Sequence, residues 1–245
     1  MFLQTQQFYD AIYSWKDYAT EAQRLKALLA GRQTSGRRTL LDIACGTGGH
    51  IPYLRDDFAY EGLDLDAEML ALARERFPDI PFHQGDMLDF DLGRQFDVVT
   101  CLFSSIAYVK TAQKLEQAIV TMARHVRPGG VLVVEPFVAP QDWEAGRPTA
   151  TFVDQPDLKI ARMSVGAREG DVAIITFEYL VATSAGIERL SERHELGLLT
   201  DAQYRGAFTA AGCDVVRDPD GLMGRSLYLG VCATSPGPLS STPRG

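Results

Sequence analysis

The segment LLDIACGTGGH, residues 40–50, is an apolar run typical of a buried strand that leads into a glycine-rich turn. The residue types of this turn could hold a small ligand. A dinucleotide-binding turn would carry a third glycine where this chain has Ile51. The run also carries Asp42, and a carboxylate at a strand end repels a pyrophosphate but suits an ammonium group. The pattern D-x-A-C-G-x-G thus predicts a ligand without phosphate at this turn. Its candidate binding residues are Asp42, Ala44, Gly46 and Gly48.

Acidic residues also end the next two predicted strands. Asp64 closes the segment EGLDLD, where a carboxylate can accept hydrogen bonds from both hydroxyls of a ribose. Asp86 and Met87 lie in QGDM, and a carboxylate beside a backbone amide can bind the edge of an adenine. Together with the glycine turn, these residues predict a ligand made of adenine, ribose and an amino-acid portion.

S-adenosylmethionine (SAM) has these three parts, and the order of motifs resembles the class I SAM-dependent methyltransferases. The resemblance implies that SAM is the cofactor. It also implies that Met69 lies against the adenine and that the backbone at Leu102 contacts the methionine portion. Ordinary core packing is the alternative for both side chains. The motifs that carry the resemblance are LLDIACGTG, GLDLDAEML, GDMLDF, FDVVTCLFS and HVRPGGVLVVEP.

Further segments resemble the bacterial N,N-dimethyltransferases that act on dTDP-linked amino sugars such as those that become desosamine and mycaminose. This resemblance implies SAM-dependent dimethylation of the amine of a sugar nucleotide. An N- or O-methyltransferase of a free small metabolite is the first alternative, and a SAM-binding protein without catalysis is the second. The segments are FYDAIYSWKDYATEA, TCLFSSIAYV, VVEP, AREG, FTAAG and GRSLYLG.

Methyl transfer to an amine requires a neutral nitrogen, because a protonated amine has no lone pair and is repelled by the sulfonium of SAM. His125 is the candidate base, since it precedes the fifth predicted strand and the loop there could fold back to the carboxyl edge. The alternative is a histidine that only stabilises a helix C-terminus. His194 is expected to be an ordinary strand residue. The resemblance further implies that Tyr9 and Tyr18 lie in an N-terminal lid and bind the SAM carboxylate, with packing of the lid as the alternative role.

The chain carries a net charge of −8, which argues against nucleic acid or a membrane as a partner. A nucleotide diphosphate would therefore need a local group of cations. We expect Arg162, Arg168 and Arg225 to supply it, with a solvated surface charge as the alternative for each. A homodimer is the assembly that the resemblance suggests.

Strand and helix signals alternate as far as Pro136, which predicts an α/β fold with a parallel sheet covered on both faces. The resemblance makes this the doubly wound, Rossmann-like, seven-stranded sheet of class I methyltransferases. Extended segments without helices then predict an antiparallel β insertion after the fifth strand. We expect a lid helix and SAM-binding core at 1–136, a substrate-side insertion at 137–198, closing elements at 199–233 and a disordered tail at 234–245.

The four cysteines form no CxxC pair, and the four histidines lack metal-ligand spacing, so no metal site is predicted. We expect the cysteines to be buried and reduced. The N-terminal residues lack the basic and apolar parts of a signal peptide, and the expected location is the cytoplasm.

Overall fold

The computed structural model describes residues 5–30, 38–222 and 224–233. The α-helices are α1 (Tyr9–Ile12), α2 (Tyr18–Leu28), α3 (Ile51–Leu54), α4 (Ala67–Arg76), α5 (Ala112–Arg124) and α6 (Asp201–Ala210). Short 3-10 helices span Gln6–Phe8 and Ser105–Val109. The strands are β1 (Arg38–Ile43), β2 (Phe58–Asp64), β3 (Phe82–Gln84), β4 (Phe96–Cys101), β5 (Val126–Val134), β6 (Pro148–Gln155), β7 (Leu158–Glu169), β8 (Val172–Thr183), β9 (Gly186–Gly197), β10 (Cys213–Asp218) and β11 (Leu227–Cys232).

Strands β1 to β5, together with β10 and β11, build a seven-stranded sheet in the order β10-β11-β5-β4-β1-β2-β3. Strands β1 to β5 run parallel, and β11 is antiparallel to both of its neighbours. Leu41 and Val99 pack with α5 and α6 on one face, whereas Leu40 and Val98 pack with α2 and α3 on the other. The predicted sheet, buried on both faces, is confirmed.

Polar caps fix where the main helices begin. Apolar residues at helical spacing predict a helix over 17–30. The structure confirms it, because the side chain of Asp17 caps α2 by accepting a hydrogen bond from the Thr20 amide. Thr200 and Gln203 form a capping box at the start of α6. Gly212 follows α6 with a φ of 71°, a left-handed conformation that glycine adopts without strain.

The fifth strand begins earlier than predicted. The sequence pattern assigns RPGG to the end of the preceding helix, but β5 already starts at Val126 and includes these residues. Its register against β4 is interrupted between Phe96 and Val98, which gives the strand room for the irregular segment. The expectation of a loop that folds back here is therefore wrong.

The antiparallel insertion is a separate sheet of four strands in the order β6-β7-β8-β9. The sequence predicts three of them and misses β6, whose proline and exposed polar residues hide the alternation of an edge strand. The insertion packs against the N-terminal segment, because Ile12 joins Val153, Ile160 and Tyr179 in one apolar cluster.

Two of the four cysteines contradict the expectation of reduced thiols. Cys213 and Cys232 form a disulfide, because the antiparallel register of β10 and β11 places them directly opposite each other. Cys45 and Cys101 are buried and free, as expected. A sequence separation of 19 residues gave no CxxC-like signal for the pair.

Within the described ranges, no helix is both long and apolar enough to cross a membrane. The same residues contain no cluster of three or more His, Cys, Asp or Glu side chains suited to a metal ion. The tail at 234–245 lies outside the described residues.

Candidate active site

The glycine turn lies at the carboxyl end of β1, in the middle of the sheet. Ala44, Gly46 and Gly48 have φ values of 56°, 56° and 80°, so the chain turns through three left-handed residues. The Gly46 amide donates to a carboxylate oxygen of Asp64 at 2.7 Å. This bond joins the end of β1 to the end of β2 and fixes both predicted binding groups relative to each other.

Asp64 is oriented by backbone donors. Its second oxygen accepts a hydrogen bond from the Asp66 amide at 2.9 Å. Burial raises the pKa of the Asp64 carboxyl, while the hydrogen bonds from Asp66 and Gly46 act in the opposite direction. Asp86, at the end of β3, likewise accepts from the Leu88 amide at 2.9 Å. Both acids thus present fixed acceptors at the same edge of the sheet, which suits hydroxyl and amino donors.

Asp42 is held inside the sheet. Tyr60 donates its hydroxyl to one carboxylate oxygen at 2.5 Å, and Thr100 donates to the other at 2.6 Å. Asp42 is buried, and these two hydrogen bonds engage both of its carboxylate oxygens within the protein. Direct contact of Asp42 with an ammonium group stays a prediction.

The N-terminal segment covers the glycine turn. The Tyr18 ring packs so closely on Gly49 that a Cβ there would lie 2.5 Å from it. Asp10 accepts a hydrogen bond from the Thr47 hydroxyl at 2.8 Å. A cavity of about 270 Å³ lies between segment and turn, and its lining includes Asp10, Tyr13, Lys16, Tyr18, Gly48 and Gly49. The lining also contains Arg76, which pairs with Asp10. The cations and tyrosine hydroxyls of the lining suit a ligand with carboxylate and hydroxyl groups.

The apolar residues predicted to touch SAM are divided between interior and surface. Met69 and Leu102 are buried, whereas Met87 is half-buried and packs against the core. Core packing therefore accounts for the Met69 and Leu102 side chains, and their contact with SAM stays a prediction.

Three cations surround two aromatic rings where β4 ends, and we refer to them as the aromatic–cation cluster. The Tyr13 and Phe103 rings meet edge to face with their centroids 5.3 Å apart. Lys16 Nζ lies 4.4 Å and the Arg225 guanidinium 5.4 Å from the Phe103 centroid. The Arg162 guanidinium lies 5.1 Å from the Tyr13 centroid. The cluster comprises Tyr13, Lys16, Phe103, Arg162 and Arg225.

Buried carboxylates hold two of these cations. Glu21 pairs with Lys16 and also contacts His50 at 2.7 Å. Glu135, the residue after β5, accepts from the Phe103 amide at 2.7 Å and lies 3.2 Å from the Arg225 guanidinium. Burial lowers the pKa of Lys16, and Glu21 opposes that shift.

The structure separates the three predicted arginines. Arg162 and Arg225 both belong to the aromatic–cation cluster, and the buried Nη1 of Arg162 has no hydrogen-bond partner within the described ranges. Arg168 instead donates to the backbone oxygens of Gly170 and Pro140, at 2.8 and 2.9 Å, near the end of β7. Tyr9 packs on Tyr13 with the ring centroids 4.7 Å apart, and burial raises its pKa well above the usual value.

Comparisons with known proteins decide the family. Residues 40–130 match the family model described as a methyltransferase domain. The chain is 44% identical over 229 residues to the dTDP-3-amino-3,6-dideoxy-alpha-D-glucopyranose N,N-dimethyltransferase of Streptomyces fradiae, covering 92% of this chain and 89% of that one. The chain belongs to this methyltransferase family. Solved structures agree with that assignment.

Two solved relatives have the same fold. DesVI from Streptomyces venezuelae matches with a TM-score of 0.88 and 40% identity, over 95% of this chain and 100% of that one. SAM-bound CalS10, an amino pentose methyltransferase from Micromonospora echinaspora, matches with a TM-score of 0.83 and 35% identity, over 94% and 98% of the two chains. The predicted fold class, the methyltransferase activity and the SAM cofactor are confirmed.

The methyltransferase does not bring His125 to this edge of the sheet. Val126, the next residue, pairs with Phe96 at the start of β4, whereas Val134 pairs with the last residue of β4. At about 3.3 Å per residue, β5 places His125 roughly 25 Å from the carboxyl edge. Its Nδ1 bonds to the Thr121 carbonyl oxygen, and its Nε2 accepts from the Leu92 amide. The expectation that His125 lies near the carboxyl edge is wrong, and its location supports the alternative of a structural histidine.

Sequence reasoning missed several groups at the methyltransferase site. Glu135 ends a buried parallel strand, so the rule that selected Asp64 would also have selected it. Lys16 has no such signal, because its approach to Phe103 depends on how the N-terminal segment crosses the sheet edge. The same is true of Tyr13, which meets both halves of the site.

Proposed function

We propose that this methyltransferase transfers methyl groups from SAM to the amine of a dTDP-linked amino sugar and carries out N,N-dimethylation. The observation that supports this most directly is the aromatic–cation cluster, which concentrates three cations at the site of a protein with a net charge of −8. A nucleotide diphosphate requires such a group of cations. The relatives that cover more than nine-tenths of this chain are dTDP-amino sugar N,N-dimethyltransferases.

The residues of the glycine turn fit SAM. Gly46 has nothing within 4 Å of an added Cβ, so its backbone is open to a ligand. We propose that Asp64 binds the ribose hydroxyls, that Asp86 and Met87 bind the adenine, and that Tyr18 binds near the carboxylate. When bound, SAM supplies an electrophilic methyl group on a sulfonium. The protein's own part is to hold donor and acceptor in line, which is worth up to about 7–11 kcal/mol.

The acceptor amine must be neutral and shielded from water when it attacks the methyl group. Phe103 and Tyr13 present ring faces and edges that exclude water, and the cations on either side can bind the phosphates of the acceptor. Arg162 is the best placed for that role, because its buried Nη1 has no partner within the described ranges. Arg225 is already paired with Glu135 and therefore orients the site as well as attracting anions.

The direct test is product mass. The purified protein is mixed with SAM and a panel of dTDP-amino sugars, the same sugars without nucleotide, and unrelated amines. We expect gains of about 14 and 28 mass units on a dTDP-amino sugar, which correspond to one and two CH₂ groups. Equal turnover of a free sugar would favour the free-metabolite alternative, and SAM binding without any mass gain would favour the non-catalytic one.

A substitution tests the phosphate contact. Arg162→Ala should raise the KM for the sugar nucleotide by about 10-fold, the loss of one charge-assisted contact, and leave SAM affinity unchanged. Arg205→Ala removes an exposed arginine on α6 and is the matched control. An equal loss of SAM affinity in Arg162→Ala would contradict the assignment.

We further propose that the protein is a cytoplasmic homodimer that pairs through the outer face of the insertion. Register places five exposed apolar side chains on this face, beside the surface ion pair of Glu178 and Arg189. They are Phe152, Met163, Val165, Leu180 and Ile187. Leu180→Glu should shift the sedimenting mass from dimer to monomer, whereas Val216→Glu, at an exposed position on β10, should not. A wild-type monomer at micromolar concentration would contradict the dimer.

A further inference from the structure

A chain of hydrogen bonds runs from the edge of the active site into the insertion. The Tyr108 hydroxyl lies 2.5 Å from His194 Nδ1, and His194 Nε2 lies 3.3 Å from a carboxylate oxygen of Glu192. That oxygen also accepts the Tyr179 hydroxyl at 2.9 Å, and the other oxygen of Glu192 accepts the Thr5 hydroxyl at 2.8 Å. Every bond links side chains, so protonation of one member is felt by the next.

The residues at the two ends of this hydrogen-bond chain differ in their exposure to solvent. Tyr108 is 41% exposed, whereas His194 and Glu192 are only 8% and 6% exposed. Tyr108 belongs to the 3-10 helix that begins two residues after Phe103, next to the aromatic–cation cluster. Tyr108 thus links the partly exposed edge beside this cluster to a partner that is shielded from water.

The surroundings of His194 connect it to the same cluster. The Phe177 ring meets the imidazole edge to face at 5.1 Å, and Arg162 lies 5.0 Å from the Phe177 centroid. Burial raises the pKa of Tyr108, and Tyr13 and Glu192 raise it further through their charges. The hydroxyl of Tyr108 is thus protonated and donates to Nδ1, which leaves the proton of His194 on Nε2, directed at Glu192.

We propose that Tyr108, His194 and Glu192 form a proton relay that removes the proton from the acceptor amine. This inference rests on the proposed function, because it requires an amine as acceptor. Tyr108 is the catalytic residue, since it alone of the three would touch the acceptor amine. His194 stores the proton, and Glu192 is a positioning residue that stabilises the imidazolium.

The transfer balances without another reactant. The Tyr108 oxygen takes a proton from the acceptor ammonium while its own proton moves to His194 Nδ1. The freed nitrogen lone pair then bonds to the methyl carbon as the sulfur–carbon bond breaks, and that electron pair stays on sulfur. His194 later releases its proton to water.

The relay matters more for the second methylation than for the first. The first substrate can lose its proton in bulk water before it binds. The monomethylated amine forms as an ammonium at the site, so a second transfer without release needs a local proton acceptor. A damaged relay should therefore slow the second transfer more than the first.

Several ionisable groups surround the imidazole and must be considered in any pH experiment. Glu192 lies on its own strand, Tyr108 on the 3-10 helix, and Tyr179 on β8 bonds to Glu192. The Arg162 guanidinium on β7 lies against the Phe177 ring. The neighbouring Glu195 pairs with Lys110. Of these groups, only Tyr108 and Glu192 bond to the imidazole.

The test measures both methylation rates between pH 6.5 and 9.5 in wild type, Tyr108→Phe and His194→Asn. At pH 7 we expect kcat to fall about 10²-fold in both variants, with KM nearly unchanged and monomethyl product accumulating. As pH rises, the loss should shrink, because the amine then loses its proton to water. The double variant should be no slower than the slower single variant, since the residues act as one unit.

His125→Asn is the matched control, because it makes the same change in the buried histidine at the other edge. Tyr108→Phe keeps the ring at an exposed position and so tests the relay even if His194→Asn folds poorly. Wild-type methylation with unchanged pH profiles in both variants would overturn the relay alone, as would an equal loss at every pH. A wild-type protein that never methylates a dTDP-amino sugar would overturn the proposed function and the relay with it.

Discussion

His125 and His194 are both buried, yet they bond to different kinds of partner. His125 precedes β5 of the seven-stranded sheet, whereas His194 lies on β9 of the insertion. His125, at the amino edge, bonds to the backbone at Thr121 and Leu92. His194, which meets the carboxyl edge through Tyr108, bonds to two ionisable side chains. Backbone partners have fixed protonation, so they hold a ring in place. Ionisable partners can exchange protons, so they give the same ring a chemical use.

Other charged residues also differ between the two edges of the seven-stranded sheet. The carboxyl edge holds buried charges in pairs, such as Glu135 with Arg225 and Glu21 with Lys16. The amino edge around His125 has a surface cleft of about 630 Å³ lined by Asp89, Asp91, Arg94 and Arg124. Its volume exceeds that of the cavity at the glycine turn, which shows that cavity size alone does not locate the chemistry.

The largest expected effect is a loss of unfolding free energy when a buried carboxylate at the carboxyl edge is removed. Glu135→Ala leaves the buried Phe103 amide without its acceptor and Arg225 without its partner, and should cost about 3 kcal/mol of unfolding free energy. Urea denaturation measures the loss. Glu116→Ala, on the exposed side of α5, is the control and should change little. Equal stabilities for the two variants would break the contrast between buried pairs and surface charges.

A somewhat smaller effect concerns the cofactor. Asp64→Ala should weaken SAM binding by about 1–3 kcal/mol, because charge-assisted hydrogen bonds to the ribose are lost. Titration calorimetry measures it. Asp57→Ala, an exposed carboxylate just before β2 at the amino edge, should bind SAM as the wild type does. Unchanged affinity in Asp64→Ala would mean that the acid serves only the glycine turn.

The third prediction is a loss of about 1 kcal/mol of unfolding free energy at the amino edge. His125→Asn removes a well-placed acceptor for the Leu92 amide and should lower stability by that amount. Because the ring lies far from the glycine turn, kcat should stay within about two-fold of wild type. A kcat loss of 10²-fold or more, with SAM affinity intact, would restore His125 as the base.

The smallest effect is the pH dependence that His125 adds to stability. Burial lowers the pKa of His125 below its usual 6.5, although the Thr121 hydrogen bond opposes the shift. The unfolded chain therefore binds this proton more readily than the folded one, and the stabilisation present above about pH 6.5 is lost as the pH falls. Unfolding free energies between pH 5 and 8 should show a shallower acid slope in His125→Asn. Identical slopes would assign the pH dependence to other groups.

Local sequence signals were enough to predict the seven-stranded sheet, its main helices and the edge of the sheet at which the proposed SAM-binding residues lie. The glycine turn and the acids at strand ends depend on strand order and spacing, both of which leave a pattern in the sequence. Asp64 and Asp86 could therefore be assigned to one edge before any coordinates were known. The same reasoning placed α6 through its Thr200 cap and Gly212 stop.

The acceptor side could not be predicted in that way, because it is built from residues far apart in the chain. Tyr108 and His194 are 86 residues apart and meet only through the insertion. The register of β9 decides that His194 and Glu192 point inward, and one residue of slip would expose both. The sequence misplaces His125 because RPGG, which is typical of a helix end, belongs to the start of β5.

The N-terminal segment touches both binding regions at once. Tyr18 lies on Gly49 of the turn, and Ile12 is packed among residues of the insertion. We expect Tyr18 to leave the turn when the used cofactor is exchanged for SAM. Only five residues separate Ile12 from Tyr18, so this movement should also disturb the packing of Ile12 on the insertion. We therefore expect each exchange of the cofactor to weaken the binding of the monomethylated sugar. The ratio of singly to doubly methylated product should then depend on how long the N-terminal segment stays away from the turn.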